Sequence, residues 1–187
     1  MQVFLDSPMA ISATEIFERH PEGYELGIAE LFRDGRDPFN LPGLHFTRET
    51  AESTAINRIT GGGVIMAGSG MCTGGRVRHH LRHNLWRPQA SVIFVGYAAQ
   101  GTLARKIIDG AKQVEIFGET IAVRAEVHTI NGFSAHADQA ELLAWRAETH
   151  AERTILVHGE ADTMRAFADK LGGAKVEIPA LGETIEL

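Results

Sequence analysis

Two short apolar runs, "GGVIMA" at 62–67 and "SVIFVGY" at 91–97, constrain the fold more than any other feature. Both are bulky and nearly uninterrupted, the pattern of strands buried on both faces of a parallel sheet. Between them lies "VRHHLRHNLW" (77–86), where Val77, Leu81 and Leu85 fall on one helical stripe. Strand, helix and strand in that order make a parallel α/β unit. The same alternation extends towards the N-terminus. "QVFL" (2–5) precedes Ser7-Pro8, a cap and first turn for a helix from about Met9 to His20. A second helix is expected in "ELGIAELF" (25–32), closed by the polar turn Asp34 to Pro38. "LHFT" (44–47) then leads into "RETAESTAINRI" (48–59), which has a helical pattern. The expected class is α/β, with a mostly parallel sheet flanked by helices.

From Gln113 the texture changes. "VEIFGETIAVRAEVHTI" (114–130) alternates around Gly118-Glu119 as a hairpin or meander does. A helix "QAELLAWRAE" (139–148), a strand "TILVHG" (154–159), a helix "TMRAFADKL" (163–171) and closing strands "KVEIP" (175–179) and "ETIEL" (183–187) follow. The change places a domain boundary near residues 120–125, giving segments 1–122 and 123–187. GETI occurs at 118–121 and 182–185, which two turns of like composition explain without a repeat.

Composition narrows the function classes. With 44% apolar and 22% charged residues the chain has the balance of a soluble globular protein. Its longest apolar runs fall far short of the roughly 18 residues of a membrane span, so no membrane partner is expected. The single cysteine, Cys72, excludes an internal disulfide and fits a reducing, cytoplasmic setting. A formal charge of −6 argues against binding a polyanion through overall charge and leaves room for a local basic patch.

Such a patch exists. "GGGVIMAGSGMCTGG" (61–75) lacks the Lys-Ser/Thr of a P-loop and the last glycine of a dinucleotide fingerprint. It still ends a strand at Gly68-Ser69-Gly70 and leads into a helix, where backbone N–H groups can meet an anion. A tight turn needing glycine dihedrals explains the same residues. The following helix, "RVRHHLRHNLWR" (76–87), holds four arginines and three histidines with no acidic residue among them. A solvated face is the plain reading; phosphate contact through Arg76, Arg78 and Arg82 is the functional one.

"GFSAHAD" (132–138) sets Ser134, His136 and Asp138 at alternate positions between alanines. Asp138 with Glu141 has the spacing of a capping box for the next helix. His136 alone is also compatible with a structural role. His158 ends a strand in "ILVHGE", and the carboxyl ends of parallel strands are where α/β proteins bind ligands. A zinc site needs three or four ligands, and this chain has no H-x-H, H-x-x-x-D-H or C-x-x-C to supply them.

Together "FLDSPMA", "GSGMCTGGRVRHHL", "VIFVGYAAQGTLARKIIDG", "INGFSAHADQAELLAW" and "TILVHGEADTM" resemble the β-CASP branch of the metallo-β-lactamase fold. These are zinc-dependent RNA-processing nucleases, including ribonuclease J and the mRNA 3′-end cleavage factors. The resemblance implies that residues 1–122 are most of a β-CASP domain. It makes 123–187 the C-terminal return into the metallo-β-lactamase domain, the RNA-metabolising motif. It further implies that His136 is an acid or phosphate-binding group and that His158 is a ligand to one of a pair of zinc ions. Ser69, Gly70 and Ser134 become RNA-contact candidates. The partner implied is RNA.

The H-x-H-x-D-H signature of that family is missing, and so is the acidic residue expected to orient His136. The expectation is therefore a fragment or truncated gene product that holds zinc poorly. It would need an N-terminal metallo-β-lactamase half for hydrolysis of RNA phosphodiesters. A non-catalytic RNA-binding module, or a scaffold that pairs as a homo-oligomer, are the other readings.

Overall fold

A computed structural model describes residues 1–133, 136–172 and 175–186. The chain forms two compact units, Met1–Asn131 and Gly132–Leu187. No described helix is long and apolar enough to cross a membrane.

The first unit opens with β1 (Gln2–Leu5), α1 (Pro8–Arg19), a single 3-10 turn, α2 (Leu26–Arg33), β2 (Leu44–Phe46), α3 (Thr50–Ile56) and β3 (Gly63–Met66). It continues with α4 (Val77–Asn84), β4 (Ser91–Val95), α5 (Leu103–Ile108), β5 (Gln113–Ile116), β6 (Glu119–Ala122) and β7 (Glu126–Ile130). β1 pairs in parallel with β2 and β3, and β4 in parallel with β7, so the arrangement is mostly parallel, but β3 and β4, the two apolar strands flanking α4, lie in different sheets instead of forming one parallel unit. β5 and β6 form the antiparallel hairpin. Ser7 caps α1 by accepting from the Ala10 N–H, and Pro8 occupies its first turn. α5 goes unnoticed in the sequence because it has only six residues; Thr102 caps it.

The core gathers Leu81 from α4 and Leu85 at its C-cap, Phe94 from β4, Ala104 and Ile107 from α5, and Val114 and Ile116 from β5. The expected stripe on α4 therefore does face inward. Burial on both faces of β3 and β4, however, is not what the structure shows. Val92 and Phe94 turn inward, whereas Ile93 and Val95 are each 56% exposed, and Val64 and Met66 stand open on β3. Strand side chains alternate, and no described residue covers the second face well enough to bury them.

The second unit holds α6 (Gln139–Glu148), β8 (Arg153–Ile155), α7 (Ala161–Leu171) and β9 (Lys175–Glu177), with β8 and β9 parallel. The closing strand expected at "ETIEL" is absent from its described part, residues 183–186. No described residue of this unit is buried, and Leu142 and Trp145 lie exposed one helical turn apart on α6. In place of a dry core it has a polar brace: Arg153 donates to both carboxylate oxygens of Glu177, at 2.6 and 2.7 Å.

Candidate functional site

In the first unit the chain's buried polar chemistry collects at the carboxyl ends of β1, β2 and β3, where open α/β sheets place their sites. Asp6 follows β1 and is fully buried. Its Oδ1 accepts from the Thr47 hydroxyl at 2.7 Å and from Arg76 at 2.7 Å. Its Oδ2 accepts from the Ser53 hydroxyl and from His80 Nε2, both at 2.6 Å. Burial pushes the carboxyl's pKa up, but the bonds from Ser53, Thr47, His80 and Arg76 outweigh it and hold the group at about 2. Arg76 also donates to the carbonyls of Thr47 and Arg48. One buried carboxylate thus ties the ends of β1 and β2 to α3 and to the start of α4.

That anchor fixes the glycine-rich loop ahead of α4. Val77 N–H donates to Gly68 O, and Cys72 N–H to Ser69 O at 3.0 Å. Gly75 sits at φ +75°, where a Cβ would lie 2.4 Å from Gly68 O, so glycine is required there. Gly70, by contrast, has open space around it. Ser69 and Gly70 are exposed at the crest, and the Ser69 hydroxyl reaches Gly74 O at 3.4 Å. Cys72 is buried beneath the loop, and burial pushes its thiol up to about 11.

The three arginines expected to contact phosphate, Arg76, Arg78 and Arg82, are placed differently from one another. Arg76 is turned inward, its guanidinium bonded to three acceptors. Arg82 forms a two-pronged pair with Glu119 on β6, at 2.9 and 2.6 Å, which raises its pKa further. Arg78 lies over the ring of Phe117, 4.3 Å from the centroid. A run without internal acids thus finds its partners just past β1 and on the β5–β6 hairpin, contacts that no local spacing reveals.

In the second unit Asp138 caps α6. It accepts from Glu141 N–H at 2.9 Å while Glu141 accepts from the Asp138 N–H at 2.8 Å, the reciprocal box its spacing predicted. His136 is exposed two residues ahead of that cap, and Ser134 lies outside the described residues. His158 is also exposed, at φ +62°, a left-handed conformation uncommon for residues other than glycine. Gly159 beside it leaves room for Met164, whose Cγ would lie 2.9 Å from a Cβ there.

Among the described residues no group of three or more His, Cys, Asp or Glu side chains could hold a metal ion. The donor set carried by these residues does not by itself fit a zinc centre, which needs three or four ligands.

Sequence reasoning missed Asp6, Thr47, Ser53 and His80. One signal was present: an acid directly ending an apolar strand, with hydroxyl-bearing residues at the end of β2 and in α3.

Comparisons with known proteins agree with this architecture. Residues 1–107 match the family model of the Beta-Casp domain, and residues 120–179 that of the Zn-dependent metallo-hydrolase RNA specificity domain. The chain belongs to the β-CASP family and corresponds to a C-terminal portion of it. Among individual relatives, Ribonuclease TTHA0252 of Thermus thermophilus is 40% identical over 185 residues, covering 98% of this chain and 42% of the relative. Transcription termination factor FttA of Thermococcus kodakarensis is 38% identical over 167 residues, 85% of this chain and 26% of its own length. The FttA of Pyrococcus abyssi is 36% identical over 166 residues, with 84% and 26% covered. The chain therefore spans less than half the length of these curated relatives.

Proposed function

We propose that this chain is the RNA-recognition and C-terminal portion of a metal-dependent nuclease that hydrolyses RNA phosphodiesters. The observation that carries the reading is the match of residues 120–179 to the Zn-dependent metallo-hydrolase RNA specificity domain, within which His136 and His158 stand exposed just ahead of α6 and α7. The RNA specificity domain description and the relative named as a ribonuclease support RNA as the substrate class.

In this reading residues 1–122 present the glycine-rich loop, with Ser69 and Gly70 as backbone contacts to phosphate and Arg78 as the most available cation of the basic helix. Residues 123–187 supply Ser134 as a phosphate contact, His136 as the group that hands a proton to the departing oxygen, and His158 as one zinc ligand. The remaining ligands come from an N-terminal metallo-β-lactamase half. The chain alone holds zinc poorly and does not cleave RNA, and its setting is the cytoplasm.

The test is reconstitution. The chain, its His136→Ala variant and its His158→Ala variant are each mixed with the remaining portion of a longer relative and assayed for cleavage of labelled RNA. Cleavage by the wild-type mixture alone supports the reading. Cleavage by the unmixed chain, or equal cleavage by all three mixtures, refutes it.

A further inference from the structure

The tip of the β5–β6 hairpin holds an aromatic ring in an unusual place. Phe117 and Gly118 join the two strands with φ values of +55° and +77°. Two-residue turns of this kind favour Asn, Asp or Gly, because a bulky side chain at positive φ crowds its own backbone. Phe117 nevertheless occupies the first position and remains 44% exposed. Its ring rests against the basic helix: the Arg78 guanidinium lies 4.3 Å from its centroid, and the His79 ring centroid lies at 4.6 Å with a 32° tilt.

Holding the hairpin to α4 does not explain the ring, since the two bonds from Arg82 to Glu119 already do so. A clamp would also be served by an aliphatic side chain with an ordinary turn residue. A half-open ring backed by a guanidinium and an imidazole is instead the form of a base-stacking platform in single-strand binding proteins. The neighbouring arginine supplies charge complementary to the phosphates between stacked bases.

Building on the RNA reading above, we propose that Phe117, with Arg78 and His79, forms a stacking subsite for one base of single-stranded RNA. Stacking reads the π-face that every base shares, so the subsite tolerates sequence and favours unpaired strands.

The test uses the full 187-residue chain. Wild type and Phe117→Leu are titrated with a single-stranded oligoribonucleotide and with an abasic ribose-phosphate oligomer of equal length. A Phe117→Trp variant, carrying Trp86→Phe and Trp145→Phe so that one indole reports, is titrated with both. The expected result is that Phe117→Leu weakens binding of the RNA by about 5- to 150-fold, the span for loss of one base–aromatic stack, and leaves the abasic oligomer unaffected. The introduced indole should be quenched by the RNA and not by the abasic oligomer. If wild type binds RNA but Phe117→Leu binds it equally well, or if both oligomers quench the indole alike, the platform is refuted while the RNA reading stands. If wild type binds neither oligomer, the RNA reading fails and the platform with it.

Discussion

Replacing Asp6 by asparagine removes one charge at nearly constant shape, and its effect follows from the four donors around it. A carboxyl held at about 2, against an ordinary 3.8, is stabilised as the anion by roughly 2 kcal/mol, at about 1.4 kcal/mol per pH unit. The asparagine oxygen can still accept from Thr47 and Arg76, but its NH2 then faces Ser53 and His80. The serine hydroxyl can rotate to accept. His80 must move its proton to Nδ1, a buried nitrogen with no hydrogen-bond partner among the described residues. An unsatisfied buried donor adds about 1–3 kcal/mol, so Asp6→Asn should lose roughly 3–5 kcal/mol, in line with breaking a buried ion pair. Urea unfolding followed at Trp86, with Trp145→Phe in both proteins, reads the first unit alone. The depressed pKa means that the anion's contribution is complete above pH 3.8 and is lost as pH falls through about 2, so the gap between the two proteins should narrow over that window. A loss below about 0.5 kcal/mol at neutral pH, the level of an ordinary surface substitution, would refute the reasoning.

Other expectations rest on single contacts. Gly75→Ala sets a Cβ 2.4 Å from a backbone oxygen at positive φ and should cost roughly 2 kcal/mol or more, measured by urea unfolding. The Cys72 thiol, buried and pushed up to about 11, should resist a thiol reagent at mildly alkaline pH in the folded chain and react fully in denaturant. Asp138→Ala removes the cap of α6 and should lower stability of the second unit by about 1 kcal/mol, seen as faster amide exchange in the first turn of that helix.

Much of this architecture was legible because it depends on local pattern. The α4 stripe, the Ser7-Pro8 start of α1 and the Asp138–Glu141 box are each fixed by residues within one or two helical turns. What escaped depends on long-range partners. Arg76 meets an acid 70 positions away and Arg82 one 37 positions away, so a run that looks free in sequence is half committed in space. The open faces of β3 and β4 escaped for a related reason. Unbroken apolar composition marks a strand made to be covered, and composition does not say by what.

Zinc uptake tests the central claim most directly. The chain and its His158→Ala variant would each be dialysed against zinc, alone and with the remaining portion of a longer relative, and their bound metal counted. The account predicts little zinc in the chain alone, firm uptake in the wild-type mixture and reduced uptake when His158 is replaced. Stoichiometric zinc in the chain alone, or uptake by the mixture that does not depend on His158, would contradict it.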